Sequence, residues 1–261
     1  MIEPTHIRSR DNALLKELRR LAQGSTDYRK QGRIWAEGDH LLRAALARGM
    51  RPTLGVFSES FWPQSHHQYT QAATKNIVIA DTLYADLSAL ESPSHMGFVF
   101  DLPPATVLQP QVASVILDRV QDAGNVGAIL RSASAFGFRQ VLALKGTAAL
   151  WSPKVLRAGM GAHWGLQLNE GLDLAAVQQL GLPLLVTSSH HGPYLHELLQ
   201  NRKLPTQCVW AFGHEGQSVS AALAALAHQP VRIAQPGGEE SLNVASAAAI
   251  CLHASATSAV D

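Results

Sequence analysis

Two rhythms of apolar and polar positions run along this 261-residue chain. In "DNALLKELRRL", Leu14, Leu15, Leu18 and Leu21 recur three and four apart, which predicts an amphipathic helix capped by Asp11 or Asn12. A second helix is expected over "EGDHLLRAALARG", ending at Gly49. The short apolar runs "TLGVF" and "NIVIA" read as strands, and the polar stretch between them as a wet loop in which His66 and His67 are not metal ligands. Three prolines between Leu102 and Gln111 mark a linker. The expected organisation is therefore a first domain over 1–102, a linker over 103–111 and a second domain over 112–261.

Past the linker, continuous Val, Ile and Leu runs alternate with helical patterns. "VASVILD", "QVLALK", "WGLQL", "LPLLVTS", "CVWAF" and "VRIAQ" are each followed by a helix, the first from about Val126 to Phe136 and the last made almost wholly of small residues. Strands that are apolar on both sides, each followed by a helix, predict a parallel sheet covered on both faces. Ligands in such sheets sit beyond the carboxyl ends of the strands, which puts the loops after Asp118, Ser188, Gly213 and Gln235 at the working edge.

Composition changes this picture little: 46% of residues are apolar and 16% charged, as in ordinary globular chains. No apolar run is long enough to span a bilayer, and the first twenty residues lack a secretion signal, so a cytoplasmic protein without a membrane partner is expected. The only cysteines, Cys208 and Cys251, read as buried reduced thiols. Charge alters more. The net value is +1, yet residues 1–51 hold eleven Lys and Arg against six acids, while the remainder holds ten against fourteen. A basic amino-terminal module on a mildly acidic body is the footprint of a nucleic-acid binder or of a solvated helical face, and charge alone does not choose between them.

The first parallel strand leads into "DRVQDAGNVGAILR", which lacks G-x-G-x-x-G, and no phosphate loop of the G-x-x-x-x-G-K-S/T type is present. Glycines gather late instead, in "FGHEG" and "QPGGEESLN". Three segments taken together, "NVGAILRSASAFGF", "SPKVLRAGMGA" and "FGHEGQSVS" with "VRIAQPGGEESLNVASAAA", resemble in order and spacing the three motifs of SpoU-type RNA 2'-O-ribose methyltransferases of the SPOUT superfamily. The likeness covers roughly residues 112–255. The amino-terminal region is similar to the small substrate-binding domain that many members carry.

The resemblance implies an α/β fold: a mostly parallel sheet with a carboxy-terminal trefoil knot, plus a small amino-terminal α/β domain that binds substrate. It implies S-adenosylmethionine bent within the knot, structured ribosomal or transfer RNA as substrate, and a homodimer packed through the last helix. "PGGEESLN" would be the turn around the cofactor, and the small residues of the last helix would let other backbones approach it closely. The alternative kept beside it is a knotted RNA-binding or assembly factor without catalysis.

By the same resemblance Arg131 is the catalytic residue. It is expected to act as a clamp on phosphate and forming alkoxide, because a guanidinium is a poor proton acceptor. Asn125, Glu215, Ser241 and Asn243 match the other motif positions, with Ser241 expected to cap the last helix. Cofactor contacts fall on Thr187, Ser188, Phe212, Gly213, Gly216, Ile233, Gln235 and Leu242. RNA contacts are expected at Arg8, Arg10, Lys16, Arg19 and Arg20, with Lys154 and Arg157 on RNA phosphate or a partner. Ala234 stands where many members have proline and Gly159 where serine is common. His214 is a speculative proton acceptor, and His190 with His191 is not expected to hold a metal.

Overall fold

The computed structural model describes residues 3–65, 67–237 and 241–258. The chain folds as two compact units: residues up to Pro104 together with Trp151–Trp164, and Ala105–Leu150 together with the chain from Gly165 onward.

In the first unit the order is β1 (Thr5–Ile7), α1 (Ala13–Gln23), α2 (Asp27–Gln31), β2 (Arg33–Glu37), α3 (Asp39–Leu46), β3 (Leu54–Ser58), α4 (His67–Thr70), β4 (Lys75–Ile79), α5 (Asp81–Leu87) and β5 (Met96–Asp101). Its sheet runs β1-β4-β3-β5-β2, parallel except for β5, which is antiparallel to both neighbours. Helix α1 forms as its periodicity predicts: Leu15, Leu18 and Leu21 are buried, and the Asn12 side chain accepts from Leu14 N at 2.9 Å and Leu15 N at 3.4 Å. The expected helix from Glu37 to Gly49 is shorter, because Ile34, Trp35 and Ala36 are fully buried in a strand that ends at Glu37. Buried on both faces, β2 has none of the alternation that marks a half-exposed strand.

The second unit begins with β6 (Ser114–Asp118), α6 (Ala123–Ala135) and β7 (Gln140–Leu144). The chain then enters α7 (Pro153–Gly159), part of the first unit, where it packs against β2 and α1. It resumes with β8 (Gln167–Leu172), α8 (Leu174–Gln178), β9 (Leu184–Thr187), α9 (Leu195–Gln200), β10 (Val209–Gly213), α10 (Ala221–Ala224), β11 (Gln229–Val231) and α11 (Val244–Ser258). All six strands are parallel, in the order β11-β9-β10-β6-β7-β8.

Strand β10 shows why the runs are continuously apolar. Val209 and Ala211 join Ile116, Leu142, Val186, Val177 and Leu223 in a core on one face. Trp210 and Phe212 alternate onto the other, where the Trp210 indole donates to Ser255 Oγ of α11 at 2.8 Å. Small side chains let α11 sit close: Ala248, Cys251, Ala254 and Ser255 are buried as it packs on α6, α9 and β10. Burial pushes the Cys208 thiol up to about 11 and raises Cys251 further, so both stay protonated.

Three expectations need correction. The proline-bearing stretch 103–111 is no free connector, since residues from Ala105 belong to the second unit: Gln109 N donates to Gln140 Oε1 at 2.8 Å and Leu108 packs on the core. The segment 151–164 departs from the linear division. The strand at "VRIAQ" ends at Val231, after which Arg232 makes one isolated bridge to Tyr194 and Ile233–Gln235 leave the sheet. Gly238, Glu239 and Glu240 of the expected knot turn, and His66 of the histidine pair, lie outside the described residues.

Gly161 binds the 151–164 segment into the first unit. Its φ is +84°, and a Cβ there would lie 2.3 Å from Ala44 Cβ of α3. Gly161→Ala should therefore cost about 1–3 kcal/mol through overpacking and an unfavourable backbone, read from the denaturation midpoint; an unchanged midpoint would contradict this packing.

Candidate active site

The parallel register brings four strand ends to one edge. Gly213 of β10 lies opposite Asp118 of β6, and Val231 of β11 opposite Thr187 of β9. Beyond them is a cavity of about 230 Å³ lined by Thr187, Ser188, Ser189, Gly213, His214, Glu215, Ser218, Val231, Ile233, Gln235, Ser241, Leu242, Asn243, Val244 and Ala247. Six of the eight expected cofactor residues lie here: Thr187, Ser188, Gly213, Ile233, Gln235 and Leu242. Phe212 and Gly216 do not. Phe212 is fully buried on the α11 side of β10, and Gly216 turns its N–H onto His214 Nδ1 at 3.0 Å.

At the rim, residues far apart in sequence form one hydrogen-bonded chain. Glu215 Oε1 accepts from Asn125 Nδ2 at 3.1 Å and from Asp122 N at 3.4 Å, and Asn125 Oδ1 accepts from Asn243 Nδ2 at 2.9 Å. Asn243 Oδ1 accepts from Ala245 N at 2.9 Å and Ser246 N at 3.2 Å, so Asn243, rather than Ser241, caps α11. Asp122 caps α6, its carboxylate accepting from Asn125 N at 2.7 Å. Two helix amino termini thus converge at the rim, where their partial positive charge favours an anion. Burial works against charge on Glu215, but bonds from backbone amides and from Asn125 outweigh it and hold its carboxyl below the ordinary range.

Each asparagine amide has two N–H groups and commits one to the chain, which leaves one donor apiece with no partner among the described residues. Such donors fixed before any ligand arrives can stabilise developing negative charge without reorganisation. His214 is not a free base: Nδ1 accepts from Gly216, so the neutral ring carries its proton on Nε2.

Arg131 is not part of this cluster. Six residues beyond Asn125 on α6, it is about 9 Å further along the axis and turned well away; it is exposed and does not line the cavity. The sequence reading missed Ser189, Ser218, Val231, Val244 and Ala247 as lining residues. Asn243 to Ala247 is one helical turn, a spacing that could have flagged Ala247.

The family model of the SpoU rRNA methylase family matches residues 113–253. The chain belongs to that family. This SpoU methylase is 32% identical over 262 aligned positions to a protein of Synechocystis named as an uncharacterized tRNA/rRNA methyltransferase, covering 95% of this chain and 92% of that one. It is 26% identical to the 23S rRNA (guanosine(2553)-2'-O)-methyltransferase RlmP of Bacillus subtilis, over 95% of this chain and 97% of the relative. In structure it resembles an RNA methyltransferase of the TrmH family from Porphyromonas gingivalis, with a TM-score of 0.77, 29% identity and coverage of 94% and 98%.

Because the folded state favours the Glu215 carboxylate, its contribution to closing the rim is complete above the ordinary glutamate range and lost as pH falls through the depressed value. The Asn125 side-chain amide resonances should stay constant from neutrality down to the ordinary glutamate range and shift only below it. In Glu215→Gln that titration should vanish; its persistence would assign it to another group.

Proposed function

We propose that this methylase transfers a methyl group from S-adenosylmethionine to a ribose 2'-hydroxyl in structured ribosomal or transfer RNA, in the cytoplasm. The observation that carries the reading is the Glu215–Asn125–Asn243 chain at the mouth of the cavity, in a member of an RNA methylase family.

The residues present suit a bent nucleoside cofactor. Val231, Ile233, Leu242, Val244 and Ala247 offer apolar surface for a purine, and Gln235 Oε1 is a buried acceptor with no partner among the described residues, open to an amino or hydroxyl donor. Glu215 adds a fixed negative charge at the lining, suited to a cationic ligand. When bound, S-adenosylmethionine supplies an electrophilic methyl on a sulfonium. Thr187, Ser188, Gly213, Ile233, Gln235 and Leu242 would hold it, and Ser241 stands at the exposed rim beside Leu242 and Asn243.

Alignment of the hydroxyl with the methyl supplies much of the rate gain, and the spare N–H groups of Asn125 and Asn243 are placed to hold the oxygen as negative charge develops. Arg131, permanently charged and exposed on α6, is assigned to the phosphate next to the target ribose. Its distance from the rim makes it the group that RNA, or a second subunit, brings into play. The second copy would seat on the apolar groove of Phe136, Leu195, Leu199, Ile233, Ala249 and Ile250, where Ile250 is 42% exposed on α11.

For RNA the first unit offers adjoining α1 and α7. Arg19, Arg20, Lys154 and Arg157 make no ion pair among the described residues and are assigned to phosphates. Arg8, Arg10 and Lys16 are paired with Glu59 at 3.5 Å, Asp86 at 2.7 Å and Asp11 at 3.0 Å, so they add less free charge.

Arg131→Ala should lower methyl transfer to bulk ribosomal and transfer RNA at least about 100-fold, the range for loss of one electrostatic stabiliser, with cofactor affinity within about twofold by calorimetry; equal activity would remove its role. Mapping 2'-O-methyl sites in RNA from cells with and without the protein tests the reaction itself. Replacing Arg19, Arg20, Lys154 and Arg157 with Gln should reduce the slope of log affinity against log salt by up to about 4, a little under one per lost phosphate contact. An unchanged slope would show that this face is merely solvated.

A further inference from the structure

The β10 strand ends in a tight loop, His214–Ser218, that supplies four residues of the cavity lining when Gly213 is counted with it. It closes on itself through His214 N to Ser218 O at 3.1 Å and Ser218 N to His214 O at 2.8 Å. The fold-back is so close that a Cβ on Gly213 would lie 2.1 Å from the Ser218 carbonyl carbon, and Ser218 itself has a left-handed φ of 57°. Such a residue persists only where its surroundings over-determine it.

Those surroundings are a second set of bonds, separate from the Glu215 chain. Asp118, 3% exposed at the end of β6, accepts from Ser220 N at 2.6 Å through Oδ2 and from Arg119 Nε at 3.2 Å through Oδ1. Arg119 reaches across to Gln217 Oε1 at 3.1 Å. Its own backbone is left-handed, φ 60°, and its N–H is held by Thr147 Oγ1 at 3.1 Å, which is in turn bonded to Leu117 O. The return limb of the loop is therefore tied to β6 at Gln217 and Ser220, while its tip is tied to α6 at Glu215. Arg119 lies outside the cavity lining.

We propose that Asp118 and Arg119 are positioning residues: they latch the 214–220 loop in the shape that the cofactor cavity needs and that presents Glu215 to Asn125. The proposal rests on the S-adenosylmethionine reading for its functional consequence, but the latch itself exists in the free protein. A guanidinium fork joining a buried carboxylate to a loop amide fixes direction as well as distance, which a lysine ammonium would not.

The test uses the full chain. Hydrogen exchange of peptides spanning 212–222 is measured without cofactor, and S-adenosylmethionine affinity by calorimetry, for the parent, Arg119→Ala, Gln217→Ala, the double variant and Gln217→Glu. Arg119→Ala and Gln217→Ala should each speed exchange in the loop about tenfold and weaken the cofactor about tenfold. The double variant should be no worse than Arg119→Ala, in which the bond to Gln217 is already lost. Gln217→Glu keeps an acceptor opposite Arg119 and should retain slow exchange. Gln217 is exposed, so Gln217→Ala keeps the proposal testable if Arg119→Ala fails to fold. Unchanged loop exchange, or faster exchange with unaltered cofactor affinity, would overturn the proposal. Accelerated exchange in a protein whose parent form binds no S-adenosylmethionine would instead leave the latch standing and sink the cofactor reading.

Discussion

The site depends on one constraint: a segment near Asn125 must meet two others about a hundred residues further along the chain, and hydrogen bonds to side-chain amides and a carboxylate hold them there. Asn125 stands 90 residues from Glu215 and 118 from Asn243. Closing loops of that length is costly in chain entropy, and no single hydrogen bond offsets it. The parallel sheet does most of the work, because burying both faces of β6, β9 and β10, with β11 paired at the edge, brings their carboxyl ends into one line before any rim bond forms. The bonds then convert nearness into geometry.

That division of labour explains the polar side chains around the cavity. Asp122 and Asn243 satisfy the first amides of α6 and α11, groups that every helix leaves unpaired, and in doing so fix where the helices start. Glu215 stays ionised because it collects amide donors, so its service is orientation rather than proton uptake. Asp118 and Arg119 do for the return limb of the β10 loop what Glu215 does for its tip. A site built this way has its polar side chains held by one another rather than by a ligand.

The first unit follows a different logic. Its sheet and helices α1 and α7 gather positive charge that the rest of the chain lacks, and α7 arrives there from the middle of the other unit's sequence, between β7 and β8. Glycine at 161 and the aromatic cluster of Phe100, Trp151 and Trp164 hold that excursion in place. A basic face assembled from both parts of the sequence can act as one surface in a way that the amino-terminal charge count alone does not express.

The sequence by itself determined the parallel α/β unit, the cap and core face of α1, and the strand ends at which a site would form, because these follow from local periodicity and from motifs with fixed spacing. It also marked Asn125, Glu215 and Asn243 as belonging together, though only through resemblance. A short strand buried on both sides, such as β2, carried no periodic signal, and the three-residue β11 was displaced from the run that suggested it. Tertiary structure alone decided that Asn243 rather than Ser241 caps α11, that Phe212 faces α11 instead of the cavity, and that 151–164 folds with the first unit. Each of these turns on which side of a strand or helix a residue occupies, or on packing between distant segments, and a linear pattern holds neither.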